Sequence, residues 1–167
     1  MDFDRAFTAL IGNEGAYTND PKDRGNWTSG KIGVGLLKGT KYGISAMTYP
    51  TVDIRNLSLD NAKKIYHQEF WLKAHCDELP NAIRFDIFDM AVNSGVLATI
   101  KTLQKAIGAD PDGIIGSQTK KLLEFYDAER LDKRLSAQRL LYICDIGTFP
   151  TFGKGWVRRV ANNLLLD

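Results

Sequence analysis

The chain has 167 residues, and its 22 Lys and Arg against 20 Asp and Glu leave a formal net charge of +2. With 25% charged and 44% hydrophobic residues it has ordinary globular composition, which excludes a disordered tail, a collagen-like chain and a disulfide-dense miniprotein. One compact domain over residues 1–167 is expected, large enough to fold without a metal or disulfide, and the near-neutral balance gives no reason to expect a nucleic-acid partner.

Residues 2–12 read as an amphipathic helix, because Phe3, Phe7, Leu10 and Ile11 recur at helical spacing before Gly12 and Gly15 stop it. From Gly15 to Ser45 the chain fills with Gly, Asn, Asp, Pro and Thr. This predicts a loop and hairpin lobe over 15–45, with a short strand expected at Lys31–Leu37. After Pro50 helices take over. Ser58 is the expected cap of a helix whose Ala62, Ile65, Tyr66 and Phe70 mark a buried face. Pro80 precedes a second helix with Ile83, Ile87, Phe88, Ala91 and Val92 facing the core; Gly95 breaks it, and Leu97–Ile107 forms a third. Asp110-Pro111-Asp112-Gly113 has the residue chemistry of a turn. Ser117 is the expected cap of a helix carrying Leu122, Leu123 and Phe125. Leu131–Ile146 continues the helical pattern, a loop is expected at Gly147–Gly155, and a short last helix bears Trp156, Val160, Leu164 and Leu165. The fold class is therefore α+β, predominantly helical, with a small Gly-rich hairpin lobe after the first helix.

Membrane and export patterns are missing. The uncharged runs Tyr42–Val52 and Met90–Ile100 fall well short of the roughly 20 residues a spanning helix needs. The start Met1-Asp2-Phe3-Asp4-Arg5 has acids where a signal peptide has bases. Cys76 and Cys144 are expected as reduced, buried thiols.

Chemistry concentrates around Glu14, which the sequence places at the end of the first helix, ahead of the Gly-rich loop. The partial negative charge of a helix C-terminus and desolvation by apolar neighbours both raise a carboxyl pKa, which suits a proton donor. The next acids are Asp20 and Asp23. A glycosidase needs such a pair: one acid for the leaving oxygen, one carboxylate to activate water or stabilise the sugar cation. The alternative is a solvated helix-end Glu and two turn-forming Asp residues. Tyr17, Trp27 and Tyr42 offer aromatic faces for sugar rings, or hold the hairpin in place. His67, His75 and Cys76 lack zinc-site spacing. The turn after Asp110 fails as a calcium loop, with Ile114 and Lys121 at ligand positions. No cofactor or metal is expected.

Several stretches resemble the glycoside hydrolase 108 family. They are Asn13-Glu14-Gly15-Ala16-Tyr17, Asn19-Asp20-Pro21-Lys22-Asp23-Arg24-Gly25 and Gly39-Thr40-Lys41-Tyr42-Gly43-Ile44-Ser45, followed by Phe70-Trp71 and Asp89-Met90-Ala91-Val92-Asn93-Ser94-Gly95. Leu103-Gln104-Lys105-Ala106, Asp112-Gly113-Ile114-Ile115-Gly116-Ser117-Gln118-Thr119 and Gly155-Trp156-Val157-Arg158-Arg159 complete the series. Ala16 stands where the family has a second Gly. The resemblance implies a lysozyme-like fold and an N-acetylmuramidase cleaving the β-1,4 bond between N-acetylmuramic acid and N-acetylglucosamine. It implies Glu14 as general acid, with Asp23 as helper and Thr40 holding the attacking water. An inserted stretch, Asn26–Leu37, separates Asp23 from Thr40, and Asp20 is a rival for the helper role, a substrate contact or the cap of its own loop. Tyr17, Trp27, Tyr42 and Asn93 become glycan contacts, and residues 81–167 resemble a peptidoglycan-binding region. Bacterial peptidoglycan strands are the expected partner and the chain a monomer. Made in a host cytoplasm without a signal peptide, it would reach the periplasm through a holin or secretion pathway. A lytic transglycosylase and a non-catalytic wall-binding protein are the alternatives.

Overall fold

Helix α1, Phe3–Ile11, follows the apolar period: Ala6 and Phe7 are buried, and the Phe7 ring meets Tyr66 edge-on at 5.5 Å. Asp4 pairs with Lys63 at 2.9 Å, and Gly12 ends the helix with φ +55°. The structure, a computed structural model, describes residues 1–12 and 16–166. They fall into two compact units, Asp4–Gln68 and Met1–Phe3 with Glu69–Asp167.

In the first unit, the strand expected at Lys31–Leu37 does not form. A single bridge, Trp27 to Leu37, is all that pairs there. Gly30, Gly33 and Gly35 adopt positive φ, which turns the chain back on itself where a strand must stay extended. The strands are β1, Thr40–Lys41, and β2, Ile44–Ser45, antiparallel with Thr40 opposite Ser45 and Lys41 opposite Ile44. Tyr42 and Gly43 link them with φ +51° and +75°, the double positive φ of the two-residue turns that match sheet twist. Tyrosine is an unusual occupant of that region, and a bond from the Tyr66 hydroxyl to the Tyr42 carbonyl, 3.0 Å, holds it there. Helix α2, Leu59–Tyr66, is capped by Ser58 as expected, its hydroxyl accepting the Asn61 N–H at 3.2 Å. The helix runs on into a π-helical turn, His67–Leu72.

The second unit is helical. Its core centres on the buried Trp71 and Phe88, whose rings meet edge-to-face at 5.5 Å, with Phe3 packed on both. Helices α3, Arg84–Ser94, and α4, Val96–Ile107, flank Gly95 as the sequence predicts. Helix α5, Ser117–Leu123, differs in detail, since Gly116 occupies the cap position and Ser117 is the first helical residue, with no side-chain cap bond. Phe125 lies beyond α5 and is exposed. Helix α6, Ala128–Asp145, is capped by Asp127, which accepts the Arg130 N–H at 2.8 Å, and packs against α4 and α7. The loop expected at Gly147–Gly155 is instead the start of α7, Phe149–Asn163. Pro150 sits in its first turn, where the missing N–H costs nothing, and the Phe149 ring lies over Gly153, leaving no room for a Cβ. Val160 is buried, whereas Leu164 and Leu165 are exposed. Cys76 is buried but Cys144, on the outer side of α6, is exposed; both are unbridged. Among the described residues no helix is long and apolar enough to cross a membrane.

The turn between α4 and α5 is held from within. The buried Gln104 amide donates to Asp112 at 2.6 Å and accepts from the Gly113 N–H at 2.8 Å, while Asp112 also accepts the Ile114 N–H at 2.8 Å. Asp112–Gly116 is thus an interhelical turn whose polar groups serve the fold.

Helix α3 is buried along the whole run Phe85–Ala91, not along one apolar face, and so carries Asp86 and Asp89 inside. Buried carboxylates need partners. Asp89 takes Arg139 on one oxygen and Arg159 on the other, 2.7 Å from Nε, while Asn163 donates to both acids at 3.0 Å. Arg139 reaches Asp86 at 3.4 Å. Burial pushes Asp86 up to about 6, with nearby Asp132 and Asp89 adding to the rise and Asn163 and Arg139 opposing it. For Asp89 burial also acts upward, but its two arginines outweigh it and hold the carboxyl below its ordinary value. Between pH 4 and 6 the folded chain therefore keeps a proton on Asp86 that the unfolded chain has released, so stability falls as pH rises through that window. Asp89 works in the opposite sense, but only below its unfolded value of 3.8. Urea unfolding is expected to give a chain about 1 kcal/mol more stable at pH 5 than at pH 7, a difference that Asp86→Asn removes.

Candidate active site

Asn19–Gly25 forms two successive side-chain turns. The Asp20 carboxylate accepts the Lys22 N–H at 2.9 Å, and the Asp23 carboxylate accepts the Gly25 N–H at 2.8 Å. Short acids favour this geometry because they bond the backbone two residues on. Asp23 thereby caps a 3-10 turn, Arg24–Asn26. Both acids are exposed, and each turn bond occupies one oxygen, leaving the other for water or ligand.

Asn26, at the end of that turn, is 0% exposed. Its backbone N–H donates to the Asp23 carbonyl at 3.2 Å and its side-chain NH2 to the Asp20 carbonyl at 3.0 Å. Its side-chain oxygen accepts the Thr40 hydroxyl at 2.8 Å. Thr40 itself is fixed on β1 by reciprocal backbone bonds with Thr18, 2.8 and 2.9 Å. The Asn26 carbonyl accepts the Lys38 and Gly39 N–H groups at 3.0 and 3.1 Å. So the structure brings Asp20, Asp23 and Thr40 into one hydrogen-bonded cluster, despite the inserted stretch, and the residue that joins them is one the sequence reading passed over. An Asn beside Gly25 in a turn-rich stretch looks like one more turn former.

The aromatic residues divide. Trp27 is half-buried and donates its indole N–H to the Pro21 carbonyl at 2.9 Å, so it ties the Asp loop to the inserted stretch. Tyr17 is half-buried beside Gly39, where an added Cβ would lie 2.6 Å from its ring and 2.4 Å from the Thr18 carbonyl. That close approach, with φ +84° at Gly39, is why glycine precedes Thr40. The Tyr42 ring has the Lys41 ammonium 5.3 Å from its centre.

Asn93 is exposed, and its amide donates to the Asp89 carbonyl one turn back at 2.8 Å. It lines a cavity of about 270 Å³ in the helical unit, together with Ser94, Arg139, Tyr142, Trp156 and Arg159. Arg159, on the wall of this cavity, is bound to Asp89. Glu14, the expected proton donor, lies with Asn13 and Gly15 outside the described residues.

The family model described as Glycosyl hydrolase 108 matches residues 7–95, a segment that includes Glu14, the Asp20–Asp23 loop, Thr40 and Asn93. The chain belongs to the glycosyl hydrolase 108 family. Among solved structures, this hydrolase is similar to SagA from Brucella abortus, at 32% sequence identity and a TM-score of 0.79, covering 96% of this chain and 90% of that one. No curated protein matches it. Its fold is lysozyme-like α+β, and it is a glycoside hydrolase of the peptidoglycan-cleaving, muramidase type. A non-catalytic wall-binding protein is thereby set aside.

Proposed function

We propose that this hydrolase cleaves the β-1,4 bond between N-acetylmuramic acid and N-acetylglucosamine, and so opens bacterial cell walls. In this reading Glu14 protonates the bridging oxygen while a water held against Thr40 attacks the anomeric carbon. Asp23 supplies the carboxylate that takes the water's proton or stabilises the sugar cation. The observation that supports it most is the cluster around Asn26. Asp23, whose carboxylate is exposed, and Thr40 are both tied to the buried Asn26, Asp23 by its backbone carbonyl to the Asn26 backbone N–H and Thr40 by its hydroxyl to the Asn26 side-chain oxygen, within the segment that matches the family. Tyr17, Asp20, Trp27, Tyr42 and Asn93 are proposed glycan contacts. The chain is proposed to act as a monomer in the periplasm after synthesis in a host cytoplasm, with a holin or secretion route giving it access.

Purified peptidoglycan tests the bond directly. Digestion is expected to release reducing N-acetylmuramic acid ends, read by mass spectrometry. Anhydro-muramic ends would instead mark a lytic transglycosylase, which needs no second carboxylate. A pair of substitutions separates the two acids. In Asp23→Asn and Asp20→Asn the amide oxygen still accepts the turn N–H, so both variants are expected to melt near the wild-type temperature. Turnover is expected to fall about 100-fold in the first and to stay within about twofold in the second. The reverse pattern would make Asp20 the helper.

A further inference from the structure

We propose that Asn26 is a positioning residue: it sets the polarity of the Thr40 hydroxyl, so that Thr40 meets the attacking water as an acceptor and never as a donor. This rests on the reading of Thr40 above. A side-chain amide has two unlike ends, an NH2 that donates and an oxygen that accepts. The NH2 end of Asn26 donates to the Asp20 carbonyl, which turns the oxygen end toward Thr40. Toward that oxygen the Thr40 hydroxyl must donate. A hydroxyl has one proton, so what remains on Thr40 is lone pairs. A water bound there donates one of its own protons to Thr40 and keeps a lone pair for the sugar carbon. Were the hydroxyl free to rotate, it would spend part of its time donating to the water and blocking the electrons that must attack.

Burial makes this arrangement stiff. Asn26 is fully enclosed, where an unmade hydrogen bond is costly, so the amide cannot flip without setting its oxygen against the Asp20 carbonyl, which has no proton to give. The backbone of Thr40 is held separately by Thr18, and the Asn26 backbone carbonyl keeps Lys38 and Gly39 in place. Changing the Asn26 side chain therefore releases the hydroxyl while leaving the backbone bonds of the strand.

The test is a double-mutant cycle on soluble glycan strands, with kcat and KM measured for Asn26→Ala, Thr40→Val and the pair. Asn26→Ala is expected to lower kcat about 10- to 100-fold, the scale of a misplaced reacting group, with KM within about twofold. In the Thr40→Val background it is expected to lower kcat no further, since there is no hydroxyl left to orient. An equal loss in both backgrounds, or a wild-type kcat in the folded single variant, overturns the proposal. The wild-type chain provides a second measurement that needs no substitution. Its Thr40 hydroxyl proton is expected to be visible by NMR, slowed in exchange by its bond to a buried oxygen; exchange at the rate of an exposed threonine overturns the proposal as well. Failure of the underlying reading looks different. It appears as a wild-type chain that releases no reducing ends, or as Thr40→Val turning over at the full rate.

Discussion

Glu14→Gln is expected to lower turnover of purified peptidoglycan about 1,000-fold while leaving the melting temperature unchanged. Glutamine keeps the shape and hydrogen-bonding reach of the side chain but has no acidic proton for the glycosidic oxygen. Removing a positioned general acid costs on the order of 100- to 10,000-fold, and the leaving group of a sugar acetal is poor without protonation. Glu14 stands in the segment that matches the family, and no substitution in the Asn26 cluster is expected to match its effect, because water orientation and electrostatic support each lower the barrier only in part. Turbidity clearance of wall suspensions and reducing-end release are the measurements. Clearance by the Gln variant at the wild-type rate would remove Glu14 from the mechanism.

Arg139→Met is expected to destabilise the fold by about 3–5 kcal/mol, read as a shift in the urea unfolding midpoint. Met nearly matches the volume of the arginine but carries no charge, so Asp86 and Asp89 lose a shared partner in a site where their side chains are 11% and 2% exposed. Breaking a buried ion pair from one side leaves an uncompensated charge, and this is what costs stability, more than the attraction that is lost. Arg159→Met is expected to cost less. Its side chain is 38% exposed, so water screens the vacancy and Arg139 still faces Asp89. A loss under about 1 kcal/mol for Arg139→Met would show that Asp86 and Asp89 are satisfied without it. At catalytic level the expectation is different in kind: Arg139 variants that remain folded keep their turnover.

The contrast between these sites shows how far the residues alone carry the argument. Helical segments were legible wherever a short-range rule was enough. Phe3 and Phe7 one turn apart give α1, Ser58 with the Asn61 N–H starts α2, and Gly95 separates α3 from α4. The order of short motifs likewise pointed to the family, and with it to Glu14, Asp23 and Thr40. Errors came where a short-range rule had a tertiary competitor. Gly153 and Gly155 read as loop residues, yet the Phe149 ring packed over Gly153 makes a helix the better use of that stretch. The run Lys31–Leu37 has strand composition, but its glycines take positive φ. Tyr42 would not be chosen for a left-handed turn on propensity, and it is held there by a hydroxyl 24 positions away.

By itself, then, the sequence determined the helical periods, the caps and breaks, the near-neutral charge and the run of short motifs that pointed to the glycosyl hydrolase 108 family. Only the tertiary structure decided what those groups do with one another. It joined Thr40 to Asn26 across 14 positions and Arg139 to Asp86 and Asp89 across 53 and 50. The reason is physical: helix periods and caps act over three or four residues, whereas a buried amide or charge takes whichever distant partner the packed chain brings within bonding distance.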